Sequence, residues 1–136
     1  MKFDNIVIGG GLSGLVSAIE SVRAGCKTAM ISTGQSALHF WSGSFELLGS
    51  IAGKTVVDSP LKRIGELPDN HPYNKIGEKR LTELLGRVTP ILEDAGIKVS
   101  GDLNRNHWRL TPLGFVKPAW LTLDDYVAFD NIENFP

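Results

Sequence analysis

Gly9, Gly11 and Gly14 are spaced as G-x-G-x-x-G, and this spacing is the feature of the chain tied most directly to chemistry. Each glycine has its own task. The first permits a tight turn, the second lets backbone approach a phosphate, and the third lets a helix pack closely on a strand. The free N–H groups of the following helix then face the anion. The letters alone also fit a glycine turn without a ligand, so the flanking residues decide. Ile6-Val7-Ile8 precede the motif, helically spaced Leu15, Val16, Ala18, Ile19 and Val22 follow it, and Gly25 sits where a left-handed cap belongs. This is the placement expected for a nucleotide or flavin phosphate site.

A carboxylate expected about 20 residues on, at the end of the second strand, would hold an adenosine ribose. This chain has Ile31-Ser32-Thr33 there. Adenosine recognition in the usual manner is therefore not predicted, whereas capture of a terminal phosphate is. The Ser32 and Thr33 hydroxyls are candidates for ribose or phosphate contact, and a merely polar strand end is the competing reading. A second constellation runs from Gly34 to Ser44, GQSALHFWSGS. Glycines and small hydroxyls around aromatic residues suit a loop passing close to a flat polar ring, with Gln35, Ser36, Ser42 and Ser44 as hydrogen-bonding groups. A surface loop with buried Phe40 and Trp41 is the alternative. His39 is the titratable side chain of this loop, open to tuning a flavin, moving a proton or simply packing in the core.

The elements that must position these residues form a strand from Phe3 to Ile8, a helix from Leu12 to Ala24 and a strand from Lys27 to Ile31. Strand, helix and strand within about 30 residues make a βαβ unit, and contiguous apolar residues predict a strand buried on both faces. Beyond it the pattern predicts a loop to Gly53 with a short helix at Phe45 to Leu48, a strand at Thr55 to Val57, and a helix from Ser59-Pro60 to about Glu66. Leu67 to Gly77 reads as loop. Leu81, Leu84, Leu85, Val88, Ile91, Leu92 and Ala95 share a helical face, weakened at Gly86 and Pro90. Ile97 to Ser100 and Trp108 to Thr111 read as two strands joined by GDLNRN, with a third extended segment from Phe115 to Leu121. His71 and His107 read as structural or exposed, Cys26 as filling a small core site, and Trp108 and Trp120 as core or interface residues. Lys75, Glu78, Lys79 and Arg80 read as a solvated patch.

Composition narrows the function classes. With 14 basic and 15 acidic residues the net charge is -1, so no general attraction to nucleic acid or anionic lipid is expected. One cysteine excludes an internal disulfide and a cysteine zinc site. No apolar run reaches the ~20 residues of a membrane helix, and the start has no signal-peptide pattern, which predicts a cytosolic polypeptide. At 136 residues and 42% hydrophobic content, a single core is the expectation.

The segments FDNIVIGGGLSGL, GQSALHFWSGSFELL, HPYNKIG and RLTPLGFVKPAWL together resemble the amino-terminal third of the B subunits of anaerobic glycerol-3-phosphate dehydrogenases, a family similar to FAD-dependent oxidoreductases. The resemblance covers nearly the whole chain. It implies an α/β fold: a Rossmann-like FAD/NAD(P)-binding βαβ start over residues 1–53, then an additional α+β helix-plus-hairpin segment over 54–136, with the sheet incomplete. It also implies a complex that oxidises sn-glycerol 3-phosphate to dihydroxyacetone phosphate and passes electrons to quinone, with fumarate or nitrate as terminal acceptor. The partners implied are the main catalytic flavoprotein of that complex and its membrane-attached iron-sulfur protein, which place the chain at the cytoplasmic face of the inner membrane. Carried onto this chain, Gly9, Gly11 and Gly14 meet the flavin phosphate, and Gln35, Ser36, Ser42, Gly43 and Ser44 lie nearest the ribityl chain and ring. The missing carboxylate favours FMN, with FAD as the alternative.

Because family members are about three times as long, the chain is expected to be a truncated form with weak or no flavin affinity and no turnover of its own. Two other readings stay open. One is a non-catalytic assembly protein with a vestigial nucleotide fold. The other is an FAD-dependent oxidoreductase acting on a different substrate.

Overall fold

In the computed structural model, which describes residues 1–131 and 133, the chain packs as two units, Met1–Trp41 and Ser42–Pro136. The first unit is built by strand β1 (Asn5–Ile8), helix α1 (Leu12–Arg23) and strand β2 (Thr28–Ile31). β1 and β2 pair in parallel, with Asn5 opposite Thr28 and Ile8 opposite Ile31. The helix stops because Gly25 adopts φ +83. Its N–H then reaches Val22 O at 2.9 Å while Cys26 N–H reaches Ser21 O at 3.0 Å, closing the last turn.

The expectation of a strand buried on both faces is not met. Val7 points to the helix side, lying 3.5 Å from the position a Gly14 Cβ would take. Side chains alternate across a strand, so Ile6 and Ile8 occupy the other face and are 60% and 83% exposed. Their exposure follows from the layers present: α1 covers one face of a two-stranded sheet, and no element of this unit covers the other.

The second unit is a mixed α/β assembly of small sheets with no closed barrel among the described residues. In order it contains β3 (Ser44–Phe45), β4 (Ser50–Ile51), β5 (Thr55–Val56), a 3₁₀ turn (Leu61–Glu66), α2 (Pro72–Ile76), α3 (Glu78–Leu85), α4 (Val88–Asp94), β6 (Val99–Gly101), β7 (His107–Leu110), β8 (Val116–Ala119), β9 (Leu121–Leu123) and β10 (Ala128–Phe129). The sheets run β10-β7-β8, β3-β9-β6 and β4-β5, and every pairing in them is antiparallel. Its core joins Leu47, Leu48, Val57, Leu61, Ile64, Leu81, Trp120 and Leu121. Residues 42–53, read from sequence as continuing the first segment, belong to this unit because Ser44 and Phe45 pair with Thr122 and Leu121.

Several local expectations change for tertiary reasons. Phe45 to Leu48 is not a helix: Phe45 ends β3, and Leu47 and Leu48 enter the core. The 67–77 segment holds α2, started by Pro72 and by the His71 ring nitrogen, which accepts from Tyr73 N–H at 3.2 Å. The long helix is two helices, broken at Gly86 and Arg87, with Pro90 tolerated in the first turn of α4. The strands flanking GDLNRN do not pair with each other. Buried Asn106 donates its side-chain amide to Leu48 O at 3.0 Å and Val57 O at 2.7 Å, and Asp102 N–H bonds Trp120 O. These ties send β6 to β9 and β7 to β8. Pro118 is tolerated because β8 is an edge strand. Trp120 is core as expected, whereas Trp108 and Cys26 are only half-buried. Lys75, Glu78, Lys79 and Arg80 are exposed, as expected.

His107 bridges two sheets, its Nε2 lying 2.7 Å from Thr122 Oγ1. Burial pushes this imidazole below its ordinary pKa, with Asp130 opposing in part. The unfolded chain therefore takes up its proton first, near pH 6.5. Stability is fully present above that value and is lost as pH falls toward the lower folded-state pKa. His107→Gln should flatten the melting temperature between pH 7 and 5.5, and an unchanged slope would assign the loss to other groups.

Candidate functional site

The first unit gathers much of the glycine site around one cleft of about 260 Å³, lined by Ile8, Gly9, Gly10, Gly11, Ile31, Ser32, Thr33, Ser36 and Ala37. The turn begins at Gly9, whose φ of +111 is a conformation that side chains rarely adopt. Its N–H bonds Ile31 O at 2.8 Å, extending the strand pairing into the turn. Gly11 caps α1 with extended backbone and no side-chain hydrogen bond to the first turn. A Cβ on Gly11 would meet open space, whereas a Cβ on Gly14 would collide with the Gly9 carbonyl oxygen. Gly9 and Gly14 thus take the turning and close-packing tasks that the spacing predicts, and Gly11 leaves open space at the head of α1.

No lining residue of the cleft is ionisable, and no acidic residue lies in the first turn of α1. An uncapped helix start facing a cleft free of carboxylates is suited to an anion held by backbone N–H groups. The residues present fit a flavin phosphate on this ground.

Ser32 and Thr33 stand at the end of β2 on the cleft wall. Ser32 Oγ lies 2.6 Å from where a Gly10 Cβ would be, so a side chain on Gly10 would displace the Ser32 hydroxyl. Sequence reasoning missed Gly10, Ile8, Ile31 and Ala37 as lining residues; for Gly10 the run of three glycines was the available signal. Ser36 lines the cleft and its Oγ accepts from Leu38 N–H at 3.2 Å, capping a 3₁₀ turn at Ala37–Phe40. Gln35 is exposed and does not line the cleft. His39 is exposed, edge-on to Phe40 at 4.9 Å between ring centroids, and belongs neither to a core nor to the cleft. Phe40 is itself exposed rather than buried.

Ser42, Gly43 and Ser44 belong to the second unit, in a polar cluster of their own. Ser42 Oγ is 3.2 Å from Ser44 Oγ, Ser44 Oγ donates to Glu46 Oε1 at 2.7 Å, and Lys117 Nζ is 2.7 Å from both Glu46 Oε1 and Ser42 Oγ. Gly43, at φ +74, lies flat against the Tyr126 ring and has no room for a Cβ. Glu46, Lys117, Arg109 and Tyr126 were not foreseen; for Lys117, Arg109 and Tyr126 their distance along the chain from Ser42 hid them.

No helix among the described residues is long and apolar enough to cross a membrane. Comparison with known proteins gives consistent relatives. The B subunit of anaerobic glycerol-3-phosphate dehydrogenase from Pectobacterium carotovorum is 39% identical over 131 residues, covering 94% of this chain and 31% of that protein. The protein of the same name from Yersinia pestis is 43% identical over 129 residues, covering 92% and 30%. The one from Aliivibrio fischeri is 41% identical over 127 residues, covering 90% and 28%. The chain spans less than a third of the length of these relatives. No solved structure matches it. A family model described as an FAD binding domain matches residues 4–135. That match supports a flavin cofactor and the FAD alternative; it lends no support to the preference for FMN drawn from the missing carboxylate. By this match the chain belongs to the FAD binding domain family.

Proposed function

We propose that the chain is the flavin-phosphate-binding part of an oxidoreductase of the anaerobic glycerol-3-phosphate dehydrogenase type, with FAD as its cofactor. The observation that carries this reading is the cleft at Gly9, Gly10 and Gly11, lined by no ionisable residue and opened by an uncapped helix start. In it the βαβ unit is the start of a Rossmann-like sheet, backbone N–H groups at the head of α1 hold the phosphates, and Ser32 and Thr33 meet the adjoining sugar. Gln35 and Ser36 serve the adjoining part of the cofactor, and His39 has no assigned role. The chemistry that flavin supplies is reversible two-electron acceptance.

The substrate is sn-glycerol 3-phosphate, oxidised to dihydroxyacetone phosphate, with quinone as acceptor and fumarate or nitrate downstream. The relatives' names support the dehydrogenase and its substrate; the acceptors rest on the resemblance alone. A multi-subunit assembly follows from the same names. Its other members are a catalytic flavoprotein and an iron-sulfur protein that holds the assembly at the cytoplasmic face of the inner membrane. In this reading the isolated chain binds flavin weakly, because Ile8 and Ile31 at the cleft are 83% and 55% exposed and shield the site poorly, and it has no turnover of its own.

A purely assembling role is the second reading, favoured by the bare face of β1 at Ile6 and Ile8. Titration of FAD with the chain, followed by flavin fluorescence, separates the two. The proposal expects saturable binding at tens of micromolar, on the scale of about -6 kcal/mol, with ADP competing. No binding at millimolar concentrations would leave only the assembly role.

A further inference from the structure

Ser32 follows β2 directly and lines the cleft together with Thr33. In a dinucleotide site of this topology a carboxylate at that place selects the sugar. It accepts from the ribose hydroxyls and repels a phosphate set beside them. A serine or threonine hydroxyl does neither exclusively, since it accepts from a sugar hydroxyl and donates equally well to a phosphate oxygen. The Ser32 side chain is turned toward the glycine turn, its Oγ 2.6 Å from where a Gly10 Cβ would be.

Charge elsewhere in the first unit does not restore the selection. Asp4 accepts from Lys27 N–H at 2.8 Å, Lys27 Nζ lies 5.5 Å from the centroid of the Phe3 ring, and Glu20 pairs with Arg23 in the last turn of α1. All four groups stand where β1 and β2 start and α1 ends, and Lys2 precedes β1 as well. The cleft is at the opposite end of the strands, about 13 Å away along four residues. That exceeds the ~10 Å over which exposed charges act at 0.1 M salt. What acts at the cleft is the positive end of α1, which attracts a phosphate and is blind to the sugar.

We propose that the cleft selects a nucleotide by its diphosphate and leaves the ribose unread, so that nucleotides with a 2′-deoxyribose or a 2′-phosphorylated ribose enter it as readily as the parent compound. This rests on the reading that the turn at Gly9, Gly10 and Gly11 holds the cofactor phosphates. Ser32 is the residue that sets this breadth. A glutamate in its place would accept from the ribose hydroxyls and repel an added phosphate, converting a broad site into a ribose-selective one.

The test displaces FAD from the whole chain, followed by flavin fluorescence at fixed ionic strength, with ADP, 2′-deoxy-ADP and 2′-phospho-ADP as probes. The three should compete with constants within threefold of one another. Ser32→Glu, shown by thermal melting to be folded, should favour ADP over each of the other two by at least tenfold. A spread beyond threefold in the unsubstituted chain overturns the proposal while leaving the phosphate reading intact. Equal constants in a folded Ser32→Glu chain overturn it too, because Ser32 would then not set the breadth. If Ser32→Glu does not melt cooperatively, the unsubstituted chain decides. A chain that binds neither FAD nor any of the three probes overturns both readings.

Discussion

Alanine at Gly14 is expected to destabilise the first unit by about 1–3 kcal/mol, although the same change in an exposed helix interior stabilises by up to about 1 kcal/mol. The sign reverses because the new Cβ would collide with the Gly9 carbonyl oxygen and stand 3.1 Å from its carbonyl carbon. Gly9 cannot move aside at low cost. Its N–H is bonded to Ile31 O, and its φ of +111 already holds the turn in a conformation for glycine. Relief would require α1 to lift from β1, and Val7 would then lose its cover. A unit with a two-stranded sheet and no fully buried residue in α1 has little stability in reserve. Amide exchange of Ile6, Val7 and Met30 measures the effect, and unchanged protection would contradict the close approach of helix to turn.

Valine at Gly11 should do the opposite. Gly11 has φ -74 and ψ 175, ordinary extended backbone, and its missing side chain would point into open space. The fold should lose no more than about 0.5–1 kcal/mol, the scale of a changed N-cap. Flavin affinity should fall at least tenfold, about 1.4 kcal/mol, because the added methyl groups occupy the space through which a phosphate reaches the head of α1. Titration of FAD against a thermally intact Gly11→Val chain tests this. Retained binding would place the phosphate elsewhere, and an assembly role would survive the substitution untouched.

The contrast between these two glycines shows what was legible. Their separate tasks follow from local backbone geometry, which depends on neighbours within a few residues, so the motif, α1 and its Gly25 cap could be read directly. The weak point of the helical face at Gly86 was legible for the same reason, although the separation into α3 and α4 was not. The partners of the short strands in the second unit were not legible. Ser44 and Phe45 become a strand only because Thr122 and Leu121 lie alongside, and nothing within their own neighbourhood states that pairing. The hairpin expected across GDLNRN failed similarly, since Asn106 is tied to Leu48 and Val57 about fifty residues away.

The candidate site divides along the same line. Residue types and spacing by themselves determined that the chain begins with a βαβ unit, that Gly9, Gly11 and Gly14 make a turn able to receive an anion, and that no carboxylate ends the second strand. These are consequences of allowed φ values and side-chain chemistry, which each residue carries with it. Only the tertiary structure decided that Gly10 yields its space to Ser32, that His39 stands outside the cleft, and that Ser42 is gripped by Arg109 and Lys117. Those outcomes depend on hydrogen bonds and burial between residues far apart in the chain, which exist only once the sheets have formed.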